Sequence, residues 1–505
     1  MRASFSIGIV GLIYSVYYIG LSHYVIAQGY WHLEAYFISD KLQLLFTNDE
    51  KTLELFFFIY PLIAQVLAMP ASILGTLNAP VITSGISMAF LASYLVVKTF
   101  NLHLRFASVL ISIYFLCSPL VVYLSTSGSS LYLYFILYFL FFHLIFRYLR
   151  QFTIYNFVLL GLCLGLFVFL DYSFLWIMLF MMPLILLISL FNYSGIDKTY
   201  IGVFSQISQE YTSAKELLAR SFSTFLVIIF IPLTSLIFYL FFNYWFTGNL
   251  MFFDQSDTHQ WNQSRIFTSD FMDNSMGYLL RMGLCLSPLF LAASFLGRKR
   301  LLFQMTLLLV PIWLIYLKNS NPGEPLFLPV LIIITASGMA AMVHLFQTQL
   351  LPLFKKSKAL HMVTTLVFLI TILGEFYYFK NTEHSQEARL FSFSESDDVQ
   401  RISAHEDMAN YISSEIKEDE VILADNKIFY PTMALTRKST EYIDQFSKDY
   451  ENALQAPKLY ADFILLSNAD IGYYRNDQMK PLIEKNKLVL YPVYTNSEFR
   501  LLKLK

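Results

Sequence analysis

The sequence predicts a polytopic α-helical membrane protein with a C-terminal extracytoplasmic α/β domain. First, the chain of 505 residues is 56% hydrophobic and only 14% charged, against roughly 25% charged residues in an ordinary soluble domain. Second, apolar runs long enough to cross a bilayer, about 20 residues each, recur from Phe5 to Phe379. Third, charged and polar residues become dense after Phe379, and the apolar runs shorten to strand length.

The apolar runs predict about eleven transmembrane helices. Helices are expected rather than a membrane barrel, because the runs are continuously apolar and longer than alternating strands of about 10 residues. A further apolar segment, residues 54–76, is interrupted by Pro61 and Pro70, and we expect it to lie in the membrane interface. The predicted spans are 5–27, 81–100, 106–125, 130–149, 157–173, 174–192, 222–246, 278–297, 301–317, 325–347 and 362–379.

The distribution of Lys and Arg predicts a cytoplasmic N-terminus. With this orientation the cytoplasmic turns hold Arg2, Lys98, Arg105, Arg147, Arg150, Lys198, Lys215, Arg220, Arg298, Lys299, Arg300, Lys355, Lys356 and Lys358. The opposite turns hold only Lys41, Lys51, Arg265 and Lys318, with Arg281 near a helix end. A membrane crossing by residues 54–76 would invert every later turn and reverse this asymmetry. A bacterial inner (plasma) membrane is the expected location, because no clear retention signal occurs.

Several classes of function find no support in the composition. Cys117, Cys163 and Cys285 all lie inside apolar runs, so neither a disulfide framework nor a metal site is predicted. The net charge is −1, and no basic patch with interleaved aromatic residues occurs. We therefore expect no nucleic-acid partner.

The predicted domain division is a transmembrane domain over residues 1–379 and a soluble domain over residues 380–505. Hydrophobic periodicity in the second predicts a helix near 402–416, strands at 421–425 and 462–466, a helix near 475–486, and a closing strand pair at 488–491 and 499–502. His405, Glu406 and Asp407 fall on the first helix, where a solvated polar face is expected. No glycine-rich phosphate loop or nucleophile elbow occurs in this domain.

Candidate functional residues cluster in the predicted outer loops 28–80, 247–277 and 318–324. The first loop contains Glu34 and Asp40, the first carboxylates in an otherwise apolar N-terminal half, beside Trp31 and His32. The second mixes carboxylates, a cation and aromatic residues, which suits a polyhydroxylated ligand, although an ordinary solvated loop explains any single residue equally well.

Asp171 interrupts two apolar runs. An aspartate at mid-membrane costs about 2.5–3.5 kcal/mol, and the cost falls at a helix end. The predicted topology places Asp171 at the outer end of a helix, in a tight hairpin. Its position therefore fits a site residue and a helix-turn polar residue equally.

Several short motifs follow one another along the chain. They are residues 33–37 (Leu-Glu-Ala-Tyr-Phe), Tyr60-Pro61-Leu62, Ser118-Pro119-Leu120, residues 160–166, residues 243–249 and Phe327-Leu328-Pro329. In this order they resemble motifs of the GT-C glycosyltransferases, especially the bacterial branch of protein mannosyltransferases and aminoarabinose transferases, in which the first motif is Asp-Glu-Ala-Tyr-Tyr. The resemblance covers nearly the whole chain.

The resemblance implies transfer of a sugar from a polyprenyl-phosphate donor to a glycan, lipid or protein acceptor at the outer membrane face. A carboxylate would accept or orient the acceptor's hydroxyl proton, and cations would offset the phosphate charge. Glu34 is the first candidate base. The catalytic candidates are Glu34, Asp40 and Asp171, and the substrate-binding candidates are Trp31, His32, Asp49, Glu50, Asp254, Asp257, His259, Arg265, Arg281 and Lys318. No cofactor is predicted, and a divalent cation is left open.

Three residues depart from the family pattern. Leu33 stands where the family carries aspartate. Asp171 lies on a helix that often ends in Lys or Arg in the family, so the charge is reversed here. Glu324 lies in a loop that usually carries Arg in the family. A non-catalytic GT-C-like component of a cell-envelope glycan assembly system is therefore an alternative. A transporter or flippase is a second alternative, which the lack of a visible internal repeat disfavours.

Overall fold

A computed structural model describes most of the chain. The described residues are 2–45, 61–151, 153–170, 174–192, 211–250, 288–289, 292, 327–348, 357–381, 397–437, 441–447, 449–468, 479–486 and 488–505. The predicted spans 278–297 and 301–317 lie almost entirely outside these ranges. The boundary between residues 379 and 380 stays a prediction.

Long apolar helices make up the N-terminal part of the chain. Their bounds are α1 Arg2–Ala27, α2 Leu33–Leu44, α3 Leu62–Ala68, α4 Ala79–Asn101, α5 Arg105–Cys117, α6 Pro119–Thr126, α7 Leu131–Arg150, α8 Ile154–Val168, α9 Phe174–Asn192, α10 Tyr211–Thr247, α11 Phe327–Thr348 and α12 Lys358–Asn381. Within the described ranges, α1, α4, α7, α10 and α12 are each long and apolar enough to cross a membrane. The chain is a multi-pass helical membrane protein, as the sequence predicts.

The predicted span 106–125 is not one continuous helix. It is divided into α5 and α6, which meet at an angle of 59°. Pro119 begins α6, and a residue before proline avoids the helical conformation. Ser118 accordingly has extended backbone (φ −67°, ψ 122°), and its Oγ accepts a hydrogen bond from the amide of Val121 at 3.1 Å. The Ser-Pro pair therefore breaks this span and turns α6 away from the axis of α5.

The predicted outer loop between α1 and α4 contains ordered helical structure. Residues 33–44 form α2, and all twelve of its residues are buried. Farther along, α3 is followed by a 3-10 helix, Met69–Leu74, with Pro70 in its first turn. Together α3 and the 3-10 helix are shorter than the roughly 20 residues that a span requires. The interfacial position of residues 54–76 stays a prediction, and residues 54–60 lie outside the described ranges.

The C-terminal domain is a five-stranded sheet with helices on both faces. Its elements are α13 Asp397–Glu415, β1 Val421–Leu423, α14 Asn426–Thr436, β2 Glu441–Ile443, α15 Tyr450–Gln455, α16 Pro457–Tyr460, β3 Phe463–Ser467, α17 Met479–Asn486, β4 Leu490–Thr495 and β5 Phe499–Leu504. The strand order is β2-β1-β3-β5-β4. Strand β1 is parallel to β2 and β3, whereas β5 is antiparallel to β3 and β4. This confirms the predicted fold class, a polytopic helical membrane protein with a C-terminal α/β domain. The extracytoplasmic position of that domain stays a prediction.

Apolar residues fill both faces of this sheet. Met408 of α13 and Phe429 and Met433 of α14 pack on one face, and Met479 and Leu482 of α17 pack on the other. The expectation of a solvated face is wrong for His405. Its ring is buried against Phe499, and its Nδ1 lies 2.9 Å from the hydroxyl of Thr432. Phe429 and Thr432 of α14 and Phe499 of β5 cover this histidine.

Gly128, in the turn between α6 and α7, packs closely against α2 and α4, and this close approach can be tested by substitution. Its φ is +69°, and a Cβ there would lie 2.9 Å from Cγ2 of Val81 and 3.1 Å from Cβ of Ala35. Gly248 has a φ of +70° but no atom within 4 Å of its Cβ position. Both Gly→Ala changes incur the backbone cost of about 1–2 kcal/mol, whereas only Gly128→Ala adds an overlap of about 1–3 kcal/mol. We expect a lower Tm for Gly128→Ala than for Gly248→Ala in detergent solution, and equal values would contradict the close approach.

Candidate functional site

The candidate site is built around α2, which lies between the membrane helices and the C-terminal domain. On the membrane side α2 packs against α3 and α4, and on the other side it packs against α14. The hydroxyl of Ser39 donates to the carbonyl of Leu77 at 3.1 Å. The side-chain amide of Gln43 donates to Thr76 at 3.2 Å and to the carbonyl of Ala434 at 2.7 Å. Both domains therefore hold this one helix by hydrogen bonds.

His32 determines where α2 begins. Its Nδ1 accepts the backbone N–H of Glu34 at 3.2 Å, and its Nε2 lies 3.0 Å from the hydroxyl of Tyr123 on α6. Because Nδ1 accepts, the proton of the neutral imidazole is on Nε2, which donates to Tyr123. The ring of Trp31 stacks on that of Tyr36, with 5.1 Å between the ring centroids. The α6 segment thus fixes the N-terminal end of α2 through an uncharged histidine.

Glu34 has the geometry of a candidate base. Its side chain is in the first turn of α2, where the helix dipole favours a carboxylate, and the residue is 2% exposed. Oε2 accepts a hydrogen bond from the hydroxyl of Ser129 at 2.7 Å. Among the described residues, no donor contacts Oε1. Within the described residues, one oxygen of this buried carboxylate is therefore oriented by a hydroxyl donor.

Asp40 lies at the other end of α2, within a group that we call the interdomain network: Asp40, Lys41, Asn426, Arg437 and Asp444. Nε of Arg437 donates to Oδ1 of Asp40 at 2.6 Å. Lys41 Nζ and Asn426 Nδ2 each donate to Oδ2 of Asp40 at 2.9 Å. Arg437 Nη2 donates to Oδ2 of Asp444 at 2.8 Å. Four charged side chains and one amide thus connect α2 to the C-terminal domain.

The charges in the interdomain network stabilise one another. Burial raises the pKa of the Asp40 carboxyl, but the charges of Arg437 and Lys41 and the hydrogen bonds outweigh burial and lower that pKa to about 2. Burial lowers the pKa of the Lys41 ammonium, against the opposing effects of Asp40 and Asp444. Burial also lowers the pKa of Arg437, but the same two carboxylates outweigh it and raise that pKa. Two carboxylates and two cations therefore balance within the network.

These contacts distinguish the two carboxylates that the sequence offers as catalytic candidates. Both oxygens of Asp40 already accept hydrogen bonds from charged or amide donors, whereas Glu34 accepts a single hydroxyl. The catalytic role of Asp40 stays a prediction, and its contacts favour a role in holding the domains together. The substrate-binding roles of Trp31 and His32 also stay predictions, and both ring nitrogens of His32 already have partners within the protein.

The other candidate residues lie outside the described ranges. They are Asp171 among the catalytic candidates and, among the substrate-binding candidates, Asp49, Glu50, Asp254, Asp257, His259, Arg265, Arg281 and Lys318. Within the part of the chain that the structure describes, no group of three His, Cys, Asp or Glu residues could hold a metal ion.

Sequence reasoning missed four residues that support the site: Tyr123, Ser129, Asn426 and Arg437. The sequence contained a pattern that could have identified Ser129. Residues 127–130, Ser-Gly-Ser-Ser, form a polar turn between two apolar helices, on the same predicted side of the membrane as Glu34. Tyr123 is one tyrosine among 34, so its type alone does not single it out. Arg437 follows Asp40 by 397 residues, and no local pattern connects them.

Comparison with known proteins supports the fold. The chain is similar to the crystal structure of ArnT from Cupriavidus metallidurans bound to undecaprenyl phosphate, with a TM-score of 0.51 and 11% identity over 96% of this chain and 97% of that one. It is likewise similar to the same protein in the apo state, with a TM-score of 0.50 and 12% identity over the same shares. No protein-family profile and no curated protein sequence matches the chain. The chain therefore shares the fold of ArnT over nearly its whole length.

Proposed function

We propose that this protein transfers a sugar from a polyprenyl-phosphate donor to a glycan, lipid or protein acceptor at the outer face of a bacterial inner membrane. The observation that carries the proposal is the state of Glu34 on a GT-C fold. Its carboxylate is buried, one oxygen is held by Ser129, and no donor among the described residues contacts the other. The crystal structure of ArnT with undecaprenyl phosphate supports a lipid donor of the same class for this fold.

The proposed chemistry requires little from the protein beyond positioning and charge. The acceptor's hydroxyl oxygen forms a bond to the anomeric carbon of the sugar. The bond from that carbon to the phosphate oxygen breaks, and its electron pair leaves with the polyprenyl phosphate. The hydroxyl proton passes to Oε1 of Glu34, which is the general base. Lys318, Arg265 and Arg281 are the proposed cations for the leaving phosphate.

The remaining candidates divide by chemistry. We assign Trp31 and the carboxylates and histidine of the second loop (Asp254, Asp257 and His259) to the sugar hydroxyls and ring faces. We propose that Asp49 and Glu50 lie near the acceptor. We propose that Asp171 lies at the outer end of its helix, on the side of the membrane where the sugar is transferred. Asp40 is not needed as a base in this scheme, because its oxygens are already engaged by Arg437, Lys41 and Asn426.

A non-catalytic role in the same glycan system is the second candidate, and Leu33 favours it. This leucine stands where the family carries aspartate, and it is buried in the apolar core. A non-catalytic protein would bind a polyprenyl-phosphate sugar without converting it. Binding of such a lipid to the purified protein is therefore common to both candidates, and turnover distinguishes them.

The first prediction concerns Glu34→Gln, which removes the proton acceptor and preserves the shape of the side chain. We expect sugar transfer to fall by about 100- to 10,000-fold, the usual contribution of a general base, with binding of the donor lipid retained. The measurement is the amount of glycan product in membranes that contain equal amounts of each variant. Glu415→Gln, on the exposed end of α13, is the matched control. Unchanged product with Glu34→Gln at normal expression would exclude Glu34 as the base.

The second prediction concerns Ser129→Ala. A hydrogen bond to a charged group contributes about 1.5–3 kcal/mol, so loss of the Ser129 hydroxyl should lower kcat by about tenfold or more and leave the KM for the donor lipid nearly unchanged. Ser130→Ala is the control, since this neighbouring residue is also buried, at 5% exposed against 0% for Ser129, and its side chain makes no capping hydrogen bond. Steady-state kinetics of the purified variants provide the measurement. Equal effects at both positions would contradict the orienting role of Ser129.

A further inference from the structure

The parallel strands β1 and β2 of the C-terminal sheet are neighbours, and their carboxyl ends lie at the edge where sheets of this kind form a crevice. Strand β1 ends at Leu423 and is followed by Asn426 at the start of α14, while β2 ends at Ile443 and is followed directly by Asp444. In open α/β sheets, ligands bind in this crevice, outside the carboxyl ends of the strands. In this protein the group found there is the side chain of Lys41, which belongs to α2.

The surroundings of Lys41 have the features of a site for a primary ammonium ion. Its Nζ donates to Oδ2 of Asp40 at 2.9 Å and to Oδ1 of Asn426 at 2.7 Å. The ring of Phe446 lies 3.8 Å from Nζ, measured to the ring centroid, which is a close cation–π contact. Asp444 adds a second negative charge and accepts from Nδ2 of the same Asn426 at 3.0 Å. The Lys41 side chain is 0% exposed.

The C-terminal domain supplies most of this pocket. Asn426, Phe446 and Asp444 follow the parallel strands, and Arg437 at the end of α14 holds the two carboxylates from the other side. From the membrane side, α2 contributes Asp40, the ring of Phe37, whose centroid lies 5.1 Å from Nζ, and the occupant itself. The pocket is therefore a binding site of one domain filled by a side chain of the other.

Occupation of this pocket is mechanically linked to the candidate base. Glu34 and Lys41 are seven residues apart on α2, which is about two helical turns or roughly 10 Å along the axis. Tyr123 and Ser129 hold the first turn against the membrane domain, and the pocket holds the last turn. A helix of twelve residues fixed at both ends presents Glu34 at one position and angle.

We propose that the crevice formed by Asn426, Asp444 and Phe446, closed by Asp40, is a primary-ammonium pocket whose resident ligand is Lys41, and that its occupation holds Glu34 in position for catalysis. The second part of this proposal, the positioning of Glu34 for catalysis, rests on the proposed glycosyltransferase function. Lys41, Asn426 and Arg437 are then positioning residues, because they act on the reaction through α2.

Chemical rescue tests the pocket directly in the full-length protein. Lys41→Ala removes the three outer carbons and the nitrogen of the side chain, which are the atoms of n-propylammonium. We expect this variant to have a lower Tm and a kcat about tenfold lower or more. Saturating n-propylammonium should restore most of both losses, and 1-propanol, a neutral molecule of similar size, should restore neither. Lys458→Ala, on an exposed face of α16, should show no loss and no rescue.

Each result decides one part of the proposal. If n-propylammonium leaves the Tm of Lys41→Ala unchanged, the ammonium pocket is wrong. If it restores Tm but not kcat, while the unaltered protein turns over and Glu34→Gln does not, the link to catalysis is wrong. If the unaltered protein shows no turnover, the proposed function fails, and the Tm rescue still decides the pocket.

Lys41→Gln is the second variant, for the case in which Lys41→Ala does not fold. Glutamine fills most of the pocket and keeps a hydrogen-bond donor, but it carries no charge. We expect it to fold and to lower kcat by about tenfold, with the donor KM within about twofold and with no response to n-propylammonium. A kcat equal to that of the unaltered protein would overturn the positioning role of the charge.

Discussion

The architecture depends on one buried electrostatic arrangement, in which Asp40 and Lys41 of α2 meet Arg437 and Asp444 of the C-terminal domain. Isolated ions are expensive to bury, and paired ions recover the cost only with good geometry and further hydrogen bonds. This network meets both conditions, since Asn426 supplies the additional donor and acceptor. Its net contribution to the free energy of unfolding is small by this reasoning, whereas the loss of any one member leaves an unpaired buried charge at a cost of about 3–5 kcal/mol. The network therefore specifies how the domains meet.

A second polar arrangement supports α2 from the membrane side. Glu375 on α12 is fully buried, and its oxygens accept hydrogen bonds from the hydroxyls of Tyr114 at 2.7 Å and Ser118 at 2.5 Å. Tyr114 lies on α5, and Ser118 lies at the bend between α5 and α6. Because α6 carries Tyr123 and leads into the turn with Ser129, the bend places both contacts that orient His32 and Glu34. Continuous polar contacts thus support the site within a largely apolar domain.

Patterns of apolar residues were sufficient to predict the class of fold, because each pattern depends only on a short stretch of sequence. Long runs identify membrane helices without knowledge of their neighbours, and short runs identified β3 and β5. Strand β2 has only three residues, and α14 contains Pro431, which normally interrupts a helix, so neither has a reliable local signal. The bend at Ser118-Pro119 did have a signal, since proline there forces an extended residue before it.

The candidate site was predictable in position but not in its division of roles. Glu34 was placed by the charge asymmetry of the loops and by a short motif. Asp40 and Lys41, by contrast, have the composition of a solvated loop, and only partners from the other end of the chain explain their burial. Residue type at Asp40 suggests acid–base chemistry, whereas its hydrogen bonds to Arg437, Lys41 and Asn426 favour a role in holding the domains together. Pairings of this kind depend on the tertiary structure alone.

The separation between the partners of the interdomain network has a consequence for biosynthesis. Arg437 follows Asp40 by 397 residues, so at about 5–20 residues per second the ribosome needs roughly 20–80 s to make the second partner after the first. During that interval Asp40 and Lys41 of α2 lack Asn426, Arg437 and Asp444, their partners in the C-terminal domain. The helix that carries Glu34 therefore reaches its final environment only after the last domain has been made and folded. A nascent chain interrupted before Arg437 would contain every helix of the membrane domain and still lack an assembled site.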